Sequence, residues 1–331
     1  MTGTGSKASK PTQAGTGTTS TISSPVIADA NTGNFVDRHT PAWTRPYLKL
    51  GRFDRPVGSW LLLFPCWWSQ TLAELNQGAS FPNVWYLALF LIGAFVMRGA
   101  GCTWNDIVDR NYDARVARTA LRPIPSGQVS VSQALVFGIL LSLAGLAILL
   151  QFNRFTIWLA IGSLGLITIY PFTKRFTYWP QMVLGLTFKW GALVGWAAVQ
   201  GRLGWPSLAL YAGCVLWTIG YDTIYAHQDK DDDAILGLKS TALRFGDRTQ
   251  PWLIIFFSGA ALLWAIAGLL AGAHHIFFLG LLGIAIHFSW QVGTLDIEDS
   301  ANCLIRFRAN RFVGWIMLAG IVGDMAVQAT T

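Results

Sequence analysis

The sequence predicts an all-α integral membrane protein with nine transmembrane helices. Of its 331 residues, 53% are hydrophobic and 12% are charged, against roughly 25% charged in soluble domains. Apolar runs long enough to cross a hydrocarbon core of about 30 Å recur from residue 57 onward. The alternating segments of about ten residues that a transmembrane β-barrel needs are absent. Because backbone polar groups in a bilayer must bond internally, the apolar runs predict helices.

The nine predicted spans follow one another with short connections. They cover 57–75, 84–105, 132–150, 155–172, 181–200, 206–226, 251–272, 275–295 and 310–328. Residues 1–40 are rich in Thr, Ser and Gly and predict a disordered tail, so the membrane domain is predicted to cover 41–331. A mitochondrial transit peptide is rich in arginine, whereas the first arginine is Arg38. The sequence therefore favours a bacterial inner membrane over the mitochondrial one.

Basic residues predict the orientation of the chain. They concentrate in alternate loops, whereas the opposite loops carry Arg154 and Arg202. The concentrated set is Arg110, Arg115, Arg118, Arg122, Lys174, Arg175, Lys230, Lys239, Arg244, Arg248, Arg306, Arg308 and Arg311. By the positive-inside rule these loops and the N-terminus are cytoplasmic. The net charge of +7 is thus a topology signal and predicts no nucleic-acid partner.

A first polar cluster, MRGAGCTWNDIVDRNYDAR, emerges directly from the second apolar run. Asn105, Asp109 and Asp113 are spaced i, i+4, i+8, which places them on one face of a continuing helix. Arg98 lies seven residues earlier on that face and is predicted to point into the bundle.

A second cluster, YDTIYAHQDKDDD, follows the sixth run, with Asp222, Tyr225, Asp229 and Asp233 on one face. If the two clusters converge, like charges repel by on the order of several kcal/mol per pair, so a cation is expected among them. Clustered carboxylates select hard ions such as Mg²⁺, which takes one or two carboxylates and completes its shell with water and phosphate oxygens. Neighbouring arginines and lysines bind phosphate. The pattern predicts a site for Mg²⁺ and a diphosphate.

These motifs resemble those of the UbiA superfamily of membrane aromatic prenyltransferases. NDIVDRNYD matches its NxxxDxxxD signature, YDTIYAHQDKDDD its second aspartate-rich motif, and Tyr170 with Lys174 in YPFTK its YxxxK element. The strings MRGAGCTWNDIVDRNYDARVARTALRPIPSG and YDTIYAHQDKDDDAILGLKST are similar to the 4-hydroxybenzoate polyprenyltransferase branch. The resemblance runs from about residue 40 to the end.

The resemblance implies a nine-helix bundle similar to isoprenyl diphosphate synthases, with a cytoplasmic cap over a cavity open to lipid. It also implies Mg²⁺-dependent transfer of a polyprenyl group from polyprenyl diphosphate to carbon 3 of 4-hydroxybenzoate, a step of ubiquinone biosynthesis. The implied partners are these two substrates and the lipid bilayer.

Site residues follow from the matched motifs. The implied catalytic residues are Asp109, Asp113, Asp229 and Asp233, which together with Asn105 form the implied metal-binding set, and Asp222 is a weaker candidate. The candidate substrate-binding set is Asn105, Arg115, Arg118, Arg122, Tyr170, Lys174, Tyr225 and Lys239. Tyr170 and Lys174 rest on the matched YxxxK element, and the arginines and Lys239 rest on position and charge. Arg98 and Arg55 are candidates for the benzoate carboxylate, because buried arginine in a bilayer is costly and usually faces the bundle interior. An ion pair of Arg98 with Asp54, and an interfacial anchoring role for Arg55, are the structural alternatives.

The predicted chemistry begins with ionisation of the allylic diphosphate, whose developing charge metal ions and basic side chains stabilise. An apolar, aromatic cavity then shields the carbocation until the ring attacks. A carboxylate takes the ring proton, and the sequence leaves open which one. Other aromatic acceptors, such as homogentisate or dihydroxynaphthoate, and other classes, a cation-coupled transporter or a membrane scaffold, are the alternative functions.

Overall fold

The computed structural model describes residues 2–3, 33–116 and 119–330. Within these ranges the regular structure is helical, with fifteen α-helices and three short 3₁₀-helices. The α-helices are α1 Phe35–His39, α2 Arg45–Leu50, α3 Val57–Asn76, α4 Val84–Asp113, α5 Val131–Leu149, α6 Arg154–Gly162, α7 Leu164–Ile169, α8 Pro180–Phe188, α9 Gly191–Gln200, α10 Trp205–Ala226, α11 Lys230–Ile235, α12 Thr241–Phe245, α13 Thr249–Ala271, α14 His275–Gly293 and α15 Ser300–Gln328. The 3₁₀-helices are Tyr170–Arg175, His227–Asp229 and Gly246–Arg248.

The predicted all-α membrane class is confirmed. In the described part of the chain, seven helical segments are long and apolar enough to cross a membrane. Three of them are made of more than one helix: α6 and α7 continue into the 3₁₀ turn Tyr170–Arg175, α8 is followed by α9, and α12 leads through the 3₁₀ turn Gly246–Arg248 into α13. The other two predicted spans coincide with α3 and α10, which are 20 and 22 residues long but are not among the seven. The number nine stays a prediction.

Local sequence explains where several helices begin. Asn83 accepts hydrogen bonds from the first amides of α4, and Ser130 forms a capping box with Gln133 at α5. Such side chains satisfy amides that the first helical turn leaves unbonded. Gly201 and Gly272 end α9 and α13 in the left-handed conformation, which glycine adopts without steric cost.

The core of the bundle is built around three buried tryptophans. Trp68 of α3, Trp217 of α10 and Trp264 of α13 pack with ring centroids 5.3–5.6 Å apart. Trp68 also donates to the carbonyl of Gly314 in α15 at 2.9 Å. By contrast, most side chains of α5 are exposed, as expected for a helix facing lipid.

Two opposite sets of loops close the bundle. At one end, Asn76 bonds to Ala271 and Gln200 bonds to Ala73, close to Arg202. At the other end, the amide of Lys239 donates to the carbonyl of Lys174 at 2.8 Å, which joins two of the basic loops. The predicted tail lies mostly outside the described residues, and α1 falls within its last part.

Candidate active site

A cavity of about 1250 Å³ lies between α3, α4, α5, α7, α8, α10 and α15. Leucine, isoleucine and aromatic side chains form most of its wall. One end of the cavity is charged, and its polar wall, called here the polar end, consists of Arg52, Asp54, Arg55, Arg98, Asn105, Asp106, Arg122, Asp222, Arg308 and Arg311. A large apolar cavity with a few convergent polar groups is the usual form of a small-molecule site.

The first aspartate-rich motif lies on the last three turns of α4, as its spacing predicts. Asn105 lines the cavity, whereas Asp109 and Asp113 are buried behind it. The ammonium of Lys174 lies 2.7 Å from Asp109 Oδ2. The two groups form an ion pair, but their angles do not meet those of a hydrogen bond. Arg122 Nη1 lies 2.7 Å from Asp113 Oδ2. Two predicted diphosphate ligands therefore neutralise the aspartates of the motif.

Asp106 is a further acidic residue that the sequence reasoning did not single out. It is fully buried and accepts two hydrogen bonds from Arg52 Nη2, at 2.7 and 2.9 Å. Arg122 reaches the same carboxylate at 3.4 Å. Arg52 has a φ of 61°, a conformation that costs energy outside glycine and often marks a functional constraint. Asp106 thus fixes two arginines at the polar end.

The second motif places its members differently. Asp222 and Tyr225 of α10 line the cavity. Asp229, at the end of the following 3₁₀-helix, and Asp233, in α11, are half-buried. In the described ranges, no three His, Cys, Asp or Glu side chains come close enough to hold a metal ion. Within these ranges the two motifs therefore do not form one shared carboxylate cluster.

His227, inside this motif, has a structural contact. Its Nε2 lies 3.0 Å from Thr249 Oγ1, which joins the turn after α10 to the start of α13. Burial lowers the pKa of His227 to about 4, with a smaller contribution from Lys230. The imidazole is therefore neutral near pH 7 and acts as a hydrogen-bonding group.

The two candidate arginines for the acceptor carboxylate both line the cavity. Arg98 stacks its guanidinium over the ring of Phe188 at 4.9 Å. Arg55 Nε lies 3.6 Å from Asp54 Oδ1, and burial raises the pKa of Asp54 although Arg55 lowers it. The ion pair that the sequence suggested for Arg98 is thus formed by Arg55.

The remaining predicted ligands divide into three groups. Tyr170 lines the cavity. Lys239 donates to the carbonyl of Phe176 at 3.3 Å and lies over the ring of Tyr178, and neither Lys239 nor Arg115 belongs to the cavity wall. Arg118 is outside the described residues. Sequence reasoning also missed Arg175, which reaches Asp109 at 3.5 Å, and the cavity-lining Arg308.

Together, the membrane bundle and its apolar cavity with arginines and aspartates at one end define a class, the membrane prenyltransferases. The chain belongs to the UbiA prenyltransferase family, whose sequence model matches residues 62–316. It is 48% identical over 285 residues to human mitochondrial 4-hydroxybenzoate polyprenyltransferase, covering 85% of this chain and 76% of that protein. The mitochondrial enzyme of Arabidopsis thaliana is 46% identical over 297 residues, covering 89% and 72%.

Solved structures confirm the fold. A UbiA homologue from Aeropyrum pernix K1 superposes with a TM-score of 0.67 at 24% identity, covering 80% of this chain and 98% of that one. A UbiA homologue from Archaeoglobus fulgidus bound to GPP and Mg²⁺ has a TM-score of 0.59 at 18% identity, covering 86% and 100%.

The predicted bacterial location is wrong. Eight curated relatives, 43–48% identical to this chain, are mitochondrial proteins and favour the mitochondrial inner membrane. The prediction of a bacterial membrane depended on the N-terminal stretch, in which no arginine precedes Arg38. Composition there is a weak guide, because the apolar runs that carry the chain into a membrane are the same in either compartment.

Proposed function

We propose that this protein transfers a polyprenyl group from polyprenyl diphosphate to carbon 3 of 4-hydroxybenzoate. The observation that carries the proposal is the 43–48% identity to curated 4-hydroxybenzoate polyprenyltransferases over most of the chain. The cavity supplies what such a transfer requires, because an apolar tail and a charged diphosphate need neighbouring apolar and cationic walls. A ubiquinone-type quinone precursor is the expected product.

The residues fit Mg²⁺ as the metal. The first motif presents oxygen donors only, and its two buried aspartates are held by lysine and arginine, so the site is built to bind positive charge. Mg²⁺ is usually held by one or two carboxylates, with substrate phosphate and water completing the shell. Asn105, Asp109 and Asp113 would hold one ion, and Asp229 and Asp233 another. When bound, the metal would neutralise the leaving diphosphate.

Basic side chains would bind the diphosphate itself. Lys174 and Arg122 lie beside the aspartates of the first motif, and Arg52 is fixed by Asp106 at the cavity wall. Arginine holds phosphate oxygens through paired N–H groups, and lysine as a point charge. Charge developing on the leaving group is therefore stabilised by donors already in position. Arg115 and Arg118 remain candidates on charge and position in the chain.

Aromatic side chains would protect the carbocation. Tyr170, Tyr221, Tyr225, Trp104 and Phe188 line the cavity. Their π faces stabilise a cation, and the apolar wall excludes the water that would quench it. Arg98 and Arg55, at the same end, would pair with the carboxylate of the acceptor.

A transfer assay tests the proposal. Membranes containing the protein receive polyprenyl diphosphate and radiolabelled 4-hydroxybenzoate, with Mg²⁺ or with EDTA. Labelled lipid product that EDTA abolishes is expected, and folded protein that yields no product across several prenyl chain lengths would contradict the proposed acceptor.

A further inference from the structure

The reaction needs a base for the ring proton, and the cavity wall offers a small choice of carboxylates. Among the described residues that line it, three are acidic: Asp54, Asp106 and Asp222. Asp109 and Asp113 lie behind the wall and face lysine and arginine. The base must touch the acceptor ring, so the comparison is between the three cavity residues.

Two of the three are committed to other contacts. Asp106 is fully buried and receives Arg52 and Arg122. The side chain of Asp54 is also fully buried, with Arg55 at 3.6 Å. The side chains of Asp106 and Asp54 both have no exposed surface, so neither carboxylate can reach the ring of a bound acceptor.

Asp222 differs from both. It is partly exposed to the cavity. Within the described part of the chain, its carboxylate has no partner at hydrogen-bond or ion-pair distance. Arg98 and Lys189 act on it electrostatically from further away. Its neighbours in the wall include Tyr221 and Tyr225, on the same turns of α10.

We propose that Asp222 is the catalytic base that removes the ring proton, an inference that rests on the proposed function. After the diphosphate has left with the electrons of the C–O bond, the allylic carbon bonds to ring carbon 3. The C3–H bond then breaks, its electron pair restores the aromatic ring, and the proton moves to a carboxylate oxygen of Asp222. Arg98, facing the same part of the cavity, holds the carboxylate of the acceptor and orients the ring.

An isotope experiment on the full-length protein in membranes tests this role. Turnover is measured with 4-hydroxybenzoate and with its 3,5-dideuterated form, for the wild type, Asp222→Asn and Asp231→Asn. Asp231 is an exposed residue of the same polar segment and serves as the matched control. We expect no primary isotope effect in the wild type or in Asp231→Asn, because proton loss follows the difficult ionisation quickly.

Asp222→Asn is expected to lose about a hundredfold or more in turnover, the usual contribution of a general base, and to show a primary isotope effect. It should still cleave the diphosphate, which is seen as prenyl alcohol. Two results would overturn the inference. One is that Asp222→Asn turns over as fast as the wild type, and the other is that it loses product formation and diphosphate cleavage equally and shows no isotope effect.

Asp222→Glu keeps the charge but displaces the carboxylate, and it serves if the asparagine variant does not fold. If Asp222→Glu has a turnover between those of the wild type and Asp222→Asn and shows an isotope effect, the role of Asp222 as the base is supported. If its turnover is slowed without an isotope effect, that role is overturned. Absence of product from the wild type would instead overturn the proposed function, and this inference with it.

Discussion

At the scale of single residues, helical spacing was enough to find the first motif but not its partners. Asn105, Asp109 and Asp113 share a face because α4 continues eight residues beyond the predicted span, to Asp113. Arg52 and Asp106 were missed because they lie 54 residues apart in sequence, and periodicity contains no information on such a contact. The one available signal was that Asp106 directly follows Asn105 in the motif.

Asp109 gives the most direct test at this scale. Asp109→Asn should lower turnover by about a hundredfold or more, comparable to the loss of other groups that stabilise transition-state charge. The change keeps the shape of the side chain, so the protein should still accumulate folded in membranes. Turnover is measured in the transfer assay beside Asp247→Asn, an acidic residue outside the cavity wall. Equal turnover of both variants would exclude a role for Asp109 at the site.

Arg98 distinguishes the two substrates. Arg98→Ala should raise the KM for the aromatic acceptor about tenfold to a hundredfold, the worth of a hydrogen bond to a charged group, and leave the KM for the diphosphate nearly unchanged. Arg202→Ala, at the opposite end of the bundle, is the control. A raised KM for the diphosphate alone would assign Arg98 to that substrate.

At the scale of helices, hydropathy located the spans and could not show their breaks. α6 and α7, and α8 and α9, were each predicted as one uninterrupted helix, since apolar composition does not change at a kink. The second break coincides with Lys189, a fully buried residue. Its ammonium donates to the carbonyl of Leu61 in α3 at 2.6 Å and lies over the ring of Trp217 at 4.4 Å. The buried charge of Lys189 is therefore partnered by a helix carbonyl.

That carbonyl is available because of Pro65. A proline inside a helix has no N–H to donate to the residue four positions earlier, which here is Leu61. Lys189 supplies the missing hydrogen bond and joins α3 to the break between α8 and α9. Leu61 and Phe188 also line the cavity, so this bond supports the cavity wall.

A double-mutant cycle tests this pairing. Lys189→Met should lower the free energy of unfolding by about 1–3 kcal/mol, the cost of an unsatisfied buried polar group. In Pro65→Ala the new backbone amide can bond the carbonyl of Leu61. Lys189→Met should therefore cost less stability in that background, with a coupling free energy of about 1 kcal/mol between the two substitutions. Thermal unfolding in detergent measures both. Lys239 bonds the carbonyl of Phe176 and not α3, so Lys239→Met is the control, and its effect should add to that of Pro65→Ala. If the effects of Lys189→Met and Pro65→Ala were also additive, the pairing would be refuted.

At the scale of the whole molecule, the distribution of basic residues predicted which loops share an end of the bundle. The backbone bond between Lys174 and Lys239 and the contact between Arg175 and Asp109 join loops that were grouped by charge alone. The basic residues could not predict the compartment, because the positive-inside rule assigns loops to one side of a membrane and does not identify the organelle. In a mitochondrion, the corresponding side is the matrix.

Thiol labelling tests this orientation. The four native cysteines are buried, so background labelling by an impermeant maleimide should be low. Gln128→Cys, in an exposed basic loop, should react from the matrix side only, and Arg202→Cys, also exposed, from the opposite side only. Labelling of both positions from one side would contradict the orientation.

The central claim is the identity of the acceptor, and a competition assay tests it most directly. Purified protein receives polyprenyl diphosphate, Mg²⁺ and equal amounts of 4-hydroxybenzoate, homogentisate and dihydroxynaphthoate, and the products are quantified by mass spectrometry. The account predicts that 4-hydroxybenzoate prenylated at carbon 3 dominates. A dominant product from either of the other acceptors would contradict it.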